Sequence, residues 1–111
     1  MKNFTENELR CKCCGMLPIV KIQGIMTVLQ MVRFRLNRPI IVTSGYRCPR
    51  HNKRVGGHPN SYHMQAMAAD ISIAGWSADE FEAFSNALPD RVYHKRYVSK
   101  SFVHIDLREY Y

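Results

Sequence analysis

The chain has 111 residues, 46% of them hydrophobic and 23% charged. That is the make-up of one folded domain, residues 1–111, able to bury its own core. It excludes a disordered chain and, with no apolar run near the roughly 20 residues of a span, membrane insertion. The net charge of +7 favours a polyanion, either nucleic acid or an anionic cell-wall polymer, but the Lys and Arg residues are scattered and form no nucleic-acid-binding motif.

The first residues, Met1-Lys2-Asn3-Phe4-Thr5-Glu6, lack the apolar core of a signal peptide. Synthesis in a cytoplasm is expected, with later release by lysis or carriage on a particle still open. Thr5 followed by Glu8 is a capping box and predicts a short helix or turn, closed by Gly15. Cys11, Cys13 and Cys14 fall in this segment, and Cys48 lies far along the chain. The spacing C-x-C-C is not the usual zinc-finger pair. A small second metal site with Cys48 as a distant ligand, reduced buried thiols and one disulfide to Cys48 all fit. Each gives the cysteines a structural rather than a redox role.

Pro18 reads as the first residue of the main helix, where a missing N–H costs nothing. Ile22, Ile25, Met26, Leu29, Val32 and Leu36 recur at helical spacing, and Arg38-Pro39 ends the run. Ile40-Ile41-Val42-Thr43 predicts a strand, with Ser44 to Arg47 as its exit. A short helical turn is expected over Cys48 to Arg54, then a loop at Gly56-Gly57-His58-Pro59-Asn60. A second strand starts at Asp70. Ser77 and Glu80 form another capping box, opening a helix to about Leu88. Residues 91–98 read as a strand. In the last strand, Phe102 to Leu107, alternation places Phe102, His104 and Asp106 on one face. The class is α+β, with two main helices against a small, mostly antiparallel sheet.

The chemistry concentrates between Ser61 and Asp106. His63 and Asp70 stand seven residues apart, with Ala66, Ala68 and Ala69 between them, and His104 supplies a second imidazole. Two imidazoles and a carboxylate are a donor set for catalytic Zn²⁺, which keeps one position open for water. His63, Asp70 and His104 are therefore expected to converge on one zinc. Asp106 has two possible roles: carrier of the water proton, or a carboxylate that orients His104 through its free ring nitrogen. His51 and His58 precede the site as loop histidines, and His94 lies on a strand near the C-terminus.

Four pieces, in order, resemble the M15 metallopeptidases: Thr43-Ser44-Gly45-Tyr46-Arg47; Asn52 with Val55-Gly56-Gly57; Ser61-x-His63 through Asp70; and Phe102-Val103-His104-Ile105-Asp106. The opening, Phe4-Thr5 through Cys14-Gly15, is similar to the small phage and prophage members. The resemblance implies a hedgehog/DD-peptidase-like fold and a zinc-dependent D,D-carboxypeptidase or endopeptidase of peptidoglycan stem peptides. It implies Zn²⁺ on His63, Asp70 and His104, and Arg47 near the substrate carbonyl or carboxylate. Ser61 matches the small polar residue beside the first histidine ligand; it and Tyr62, a packing or rim residue, are the expected substrate contacts. The resemblance makes Asp106 the candidate base, because Ser101 stands where many members have an acid. The implied partner is the wall peptide, met by a monomer after lysis or from a phage particle, without nucleic acid. A catalytically silent zinc module that binds wall fragments or protein is the alternative. Members often carry glycine where this chain has Ala66, a change expected to be tolerable only if φ there is not positive.

Overall fold

A computed structural model of the chain describes residues 6–110. In chain order these form α1 (Gln23–Leu36), β1 (Val42–Ser44), α2 (Pro49–Arg54), β2 (Ala68–Ser72), α3 (Ala78–Ala87), β3 (Tyr93–Tyr97) and β4 (Phe102–Asp106). Short 3-10 turns lie at Glu6–Leu9, Tyr62–Gln65, Val98–Lys100 and Arg108–Tyr110. The four strands form one sheet in the order β1-β2-β4-β3, every neighbouring pair antiparallel. The architecture is α+β, with the expected turn after Cys48 closed into a third short helix.

Strand alternation divides the sheet into two unlike faces. Ala69 and Ile71 of β2 and Val103 and Ile105 of β4 join Ile25, Leu29 and Val32 of α1 and Phe84 of α3 in one core. All eight are fully buried, and each large one contributes about 1.5–3 kcal/mol by leaving water. The intervening residues, Asp70, His104 and Asp106, belong to the opposite face. α3 starts at the predicted capping box: the Ser77 hydroxyl accepts the Glu80 N–H, and the Glu80 carboxylate accepts the Ser77 N–H.

Some boundaries differ from the sequence reading. Regular helix begins at Gln23 rather than Pro18. The Ile22 N–H does bond to the Pro18 carbonyl at 2.9 Å. However, the run Ile19-Val20-Lys21-Ile22 is rich in β-branched residues, and Ile22 at the N-cap offers no capping side chain. The helix ends at Leu36 because Asn37 turns left-handed, φ 52°. β1 covers Val42–Ser44 rather than residues 40–43, with a register irregularity between Val42 and Ser44, and β2 starts two residues before Asp70. The Thr5 capping box lies outside the described residues.

Ala66 overturns an expectation. It sits at φ 58°, ψ 32°, as the left-handed cap of the turn that carries His63, and it is fully buried. An L-residue there costs roughly 1–2 kcal/mol. The burial of its methyl, worth about 0.8 kcal/mol, offsets part of that cost.

Candidate metal centre

Sheet register brings the first two donors together. Asp70 of β2 is paired with His104 of β4. Directly opposed residues on one face have Cβ atoms about 4.5–5.5 Å apart. The side chains meet at 3.0 Å between Asp70 Oδ1 and His104 Nδ1. The third donor comes from the turn before β2. The Ser61 hydroxyl accepts the His63 N–H at 3.1 Å, which starts the turn Tyr62–Gln65. His63 Nε2 then lies 3.2 Å from Asp70 Oδ1. The three ligand atoms fall within 4.8 Å of one another.

The outer nitrogens of both rings are spoken for, which fixes what the inner ones can do. His63 Nδ1 lies 2.7 Å from the Gly45 carbonyl, an acceptor only, so Nδ1 carries the proton and Nε2 presents a lone pair. His104 Nε2 lies 2.8 Å from Asp106 Oδ2, which leaves a lone pair on Nδ1 of the neutral ring. Two bare nitrogens and a carboxylate oxygen thus converge, a set of negative ends that a divalent cation satisfies. The residues fit a zinc ion bound through two imidazoles and one carboxylate, with a carbonyl and a carboxylate orienting the rings from behind.

In the metal-free chain the same contacts favour charged groups, with a proton on His104 standing where a cation would take its place. Burial pushes the Asp70 carboxyl upward, but the hydrogen bonds and charge of His104 and His63 outweigh it and hold the group at about 2. Burial works against charge on His104, yet its bonds to Asp106 and Asp70 raise its pKa. Asp106 is held far below the usual carboxylate range. Burial opposes this and is outweighed by His104 and by Arg108, which donates from its side chain and its backbone N–H.

Asp106 is completely buried and lies on the side of the His104 ring away from Asp70. Both its oxygens are engaged by His104 and Arg108. That is the geometry of its orienting role. Arg47 reaches Asp70 Oδ2 at 3.5 Å and also bonds Ser44 Oγ and Asn52 Oδ1. Gly57 makes room for this: a Cβ there would lie 2.1 Å from Asn52 Oδ1 and 2.8 Å from an Arg47 nitrogen.

His104 also lines an open cleft of about 360 Å³, with His58, Asn60, Ser61, Tyr62 and Arg108. Tyr62 and Ser61 are therefore where a substrate could touch them. Arg108 was not singled out from the sequence. Its guanidinium lies 3.7 Å from the Tyr93 ring centre and 4.9 Å from that of Tyr62 while holding Asp106. Its signal was the same alternation, carried one step past the strand: 102, 104, 106, 108. His58 is exposed at the cleft, and its Nδ1 accepts the Asn60 N–H. His94 pairs in register with Ile105, a core-facing residue, and sits against Phe81 and Ser85 of α3, away from the donors.

The cysteines form a second group. The sulphurs of Cys11, Cys14 and Cys48 lie within 4.8 Å of one another, and Cys13 is not among them. Burial raises the Cys11 thiol, but the backbone N–H groups of Cys48, Cys14 and Cys13 and the Cys48 side chain bring it down to about 7. No described helix is long and apolar enough to cross a membrane.

Comparison with curated proteins gives no match. The family model described as Peptidase M15 matches residues 2–106, a span that contains the three converging donors, Arg47, Ser61, Tyr62, Asp106 and all four cysteines. The chain belongs to the peptidase M15 family.

Proposed function

We propose that this protein is a zinc-dependent peptidase that hydrolyses peptide bonds in peptidoglycan stem peptides. Family membership supports a metallopeptidase. The observation that carries the reading is the convergence of His63 Nε2, Asp70 Oδ1 and His104 Nδ1, with both rings held from behind. Resemblance to the small phage members supports action on the wall after lysis or from a particle, by a single-domain monomer with a hedgehog-like fold.

Zinc held by His63, Asp70 and His104 would supply Lewis acidity, lowering the pKa of water and polarising the scissile carbonyl. The remaining work falls to the chain's own side chains. Asp106 is a positioning residue: it keeps the proton on His104 Nε2, so that Nδ1 stays a donor. Arg47 steadies Asp70 and sets positive charge beside it, where it stabilises negative charge growing on a substrate oxygen. Arg108, stacked between Tyr62 and Tyr93 on the cleft wall, is suited to a peptide carboxylate. The net positive charge aids capture by anionic wall polymers, an attraction that salt weakens.

A second reading has one observation in its favour. The described cleft lining contains no carboxylate, and Ser101 sits in the left-handed turn before β4. A silent zinc module that binds wall fragments would look the same. Digestion of purified cell wall separates the two. New amino groups released by the zinc-loaded protein, and not by the chelator-stripped protein, support the peptidase. Zinc-dependent retention on the wall with no new amino groups would replace it with the binding module.

A further inference from the structure

The cysteine group carries more than packing. Cys11, Cys14 and Cys48 are free thiols that come from two segments far apart in sequence. Hydrogen bonds already reach two of the sulphurs: the Cys48 N–H donates to Cys11 Sγ at 3.3 Å, and the His51 N–H donates to Cys48 Sγ at 3.4 Å. Such donors favour the thiolate, the form that binds metal. A single disulfide would consume two of the sulphurs and strand the third.

His51 is the candidate for a fourth ligand, although its ring nitrogens lie outside the 4.8 Å group formed by the three sulphurs. It lies three residues after Cys48, the N-cap of α2, and its Nδ1 is buried with no hydrogen-bond partner. A buried ring nitrogen left bare is costly and asks for a partner. Cys11-x2-Cys14 and Cys48-x2-His51 both have the short ligand spacing of structural zinc sites. Cys13, interposed in the first pair, hides the pattern in the sequence.

We propose that Cys11, Cys14, Cys48 and His51 form a second, structural site for Zn²⁺ or a similar thiophilic divalent cation, with Nδ1 of His51 as the nitrogen ligand. Tetrahedral zinc with bonds near 2.3 Å to sulphur needs sulphurs roughly 3.8 Å apart, within the spread of this group. The site pins the segment around Cys11 to the start of α2. Between its two halves runs the stretch from Ser44 to Cys48, where the Tyr46 N–H donates to the Leu9 carbonyl at 2.9 Å and Gly45 supplies the carbonyl that holds His63. A metal here braces the loop that orients the first histidine of the sheet site.

The test uses the reduced, full-length protein loaded with Co²⁺, and it reads absorption rather than hydrolysis. The site predicts a thiolate-to-cobalt charge-transfer band and two metals per chain. His104→Ala should keep the band and bind one metal. Cys14→Ser should lose the band, Cys13→Ser should keep it, and His51→Ala should alter the ligand-field spectrum. Should Cys14→Ser fail to fold, thiol alkylation of the zinc-loaded wild type serves instead: Cys11, Cys14 and Cys48 should resist until chelator is added. Absence of the band, loss of the band in Cys13→Ser, or an intact mass two hydrogens lighter in protein isolated without reductant, from a disulfide, would overturn the site. An unchanged cobalt spectrum in His51→Ala would overturn its fourth ligand. None of these readings depends on peptidase activity, so failure of one proposal leaves the other standing.

Discussion

The two three-donor clusters of this molecule are built in opposite ways. The His63–Asp70–His104 group stands mostly on the sheet: two donors are register partners on adjacent strands, and the third sits on the turn leading into one of them. The cysteine group joins a loop near the N-terminus to the N-cap of a six-residue helix. In the first, β-pairing fixes the donors before any metal arrives. In the second, Cys14 is exposed and Cys48 only half-buried, and besides the sulphurs the two segments meet through the Tyr46–Leu9 hydrogen bond and the close approach of Gly45 to Leu9. A sheet-borne site is prepared for chemistry, and a loop-borne site lends its binding energy to folding.

The largest effect expected from breaking this contrast belongs to His104→Ala. It should abolish metal binding at the sheet site and all hydrolysis, with the fold retained by circular dichroism. Metal analysis that still returns full occupancy of that site would remove His104 from the ligand set.

Next comes Asp106→Asn. An orienting carboxylate should cost about 10–100-fold in zinc affinity, with much of the turnover recovered when zinc is raised to saturation. Turnover that stays near zero at full occupancy would mean that Asp106 moves the proton itself.

A smaller and graded effect concerns acid. In the metal-free chain the folded-state pKa values of Asp70 and Asp106 both lie below the ordinary carboxylate value. Their stabilisation is therefore present above the unfolded pKa near 3.9 and is lost as pH falls through the folded values. His104 runs the other way: raised in the folded state, it stabilises below about 6.5 and stops doing so as pH climbs through its folded value. Denaturant midpoints should decline below about pH 4, more shallowly in Asp106→Asn. An equal decline in both would show that this carboxylate is not linked to folding.

Ala66→Gly should be nearly neutral, within about 1 kcal/mol, because relief of the left-handed backbone offsets the lost methyl. A loss of several kcal/mol would show that the methyl's packing dominates.

The sequence made some of this legible and hid the rest for physical reasons. Period-2 alternation put His104 and Asp106 on one face, because strand geometry is local. The pairing of Asp70 with His104 is a matter of register between segments 34 residues apart, which no local pattern encodes. Cys48 as an N-cap, with Pro49 at the first helical position, was readable as a helical turn. The bare nitrogen of His51 was not, since burial of one ring atom depends on tertiary packing. The capping box of α3 gave its start to the residue. α1 offered no such side chain, and its start was misplaced by five positions.

Gly45 sets a boundary on how far this protein can be trimmed. A Cβ on it would fall 2.7 Å from the Leu9 backbone, so the two strands of chain lie in direct contact, with the Gly45 carbonyl turned to His63. The stretch around Leu9 is thus the back wall of the candidate metal centre, even though it lends no donor to it. A shortened version starting after the cysteine loop would keep all three sheet-site ligands on paper. It would let the first imidazole swing out of line with Asp70 and His104.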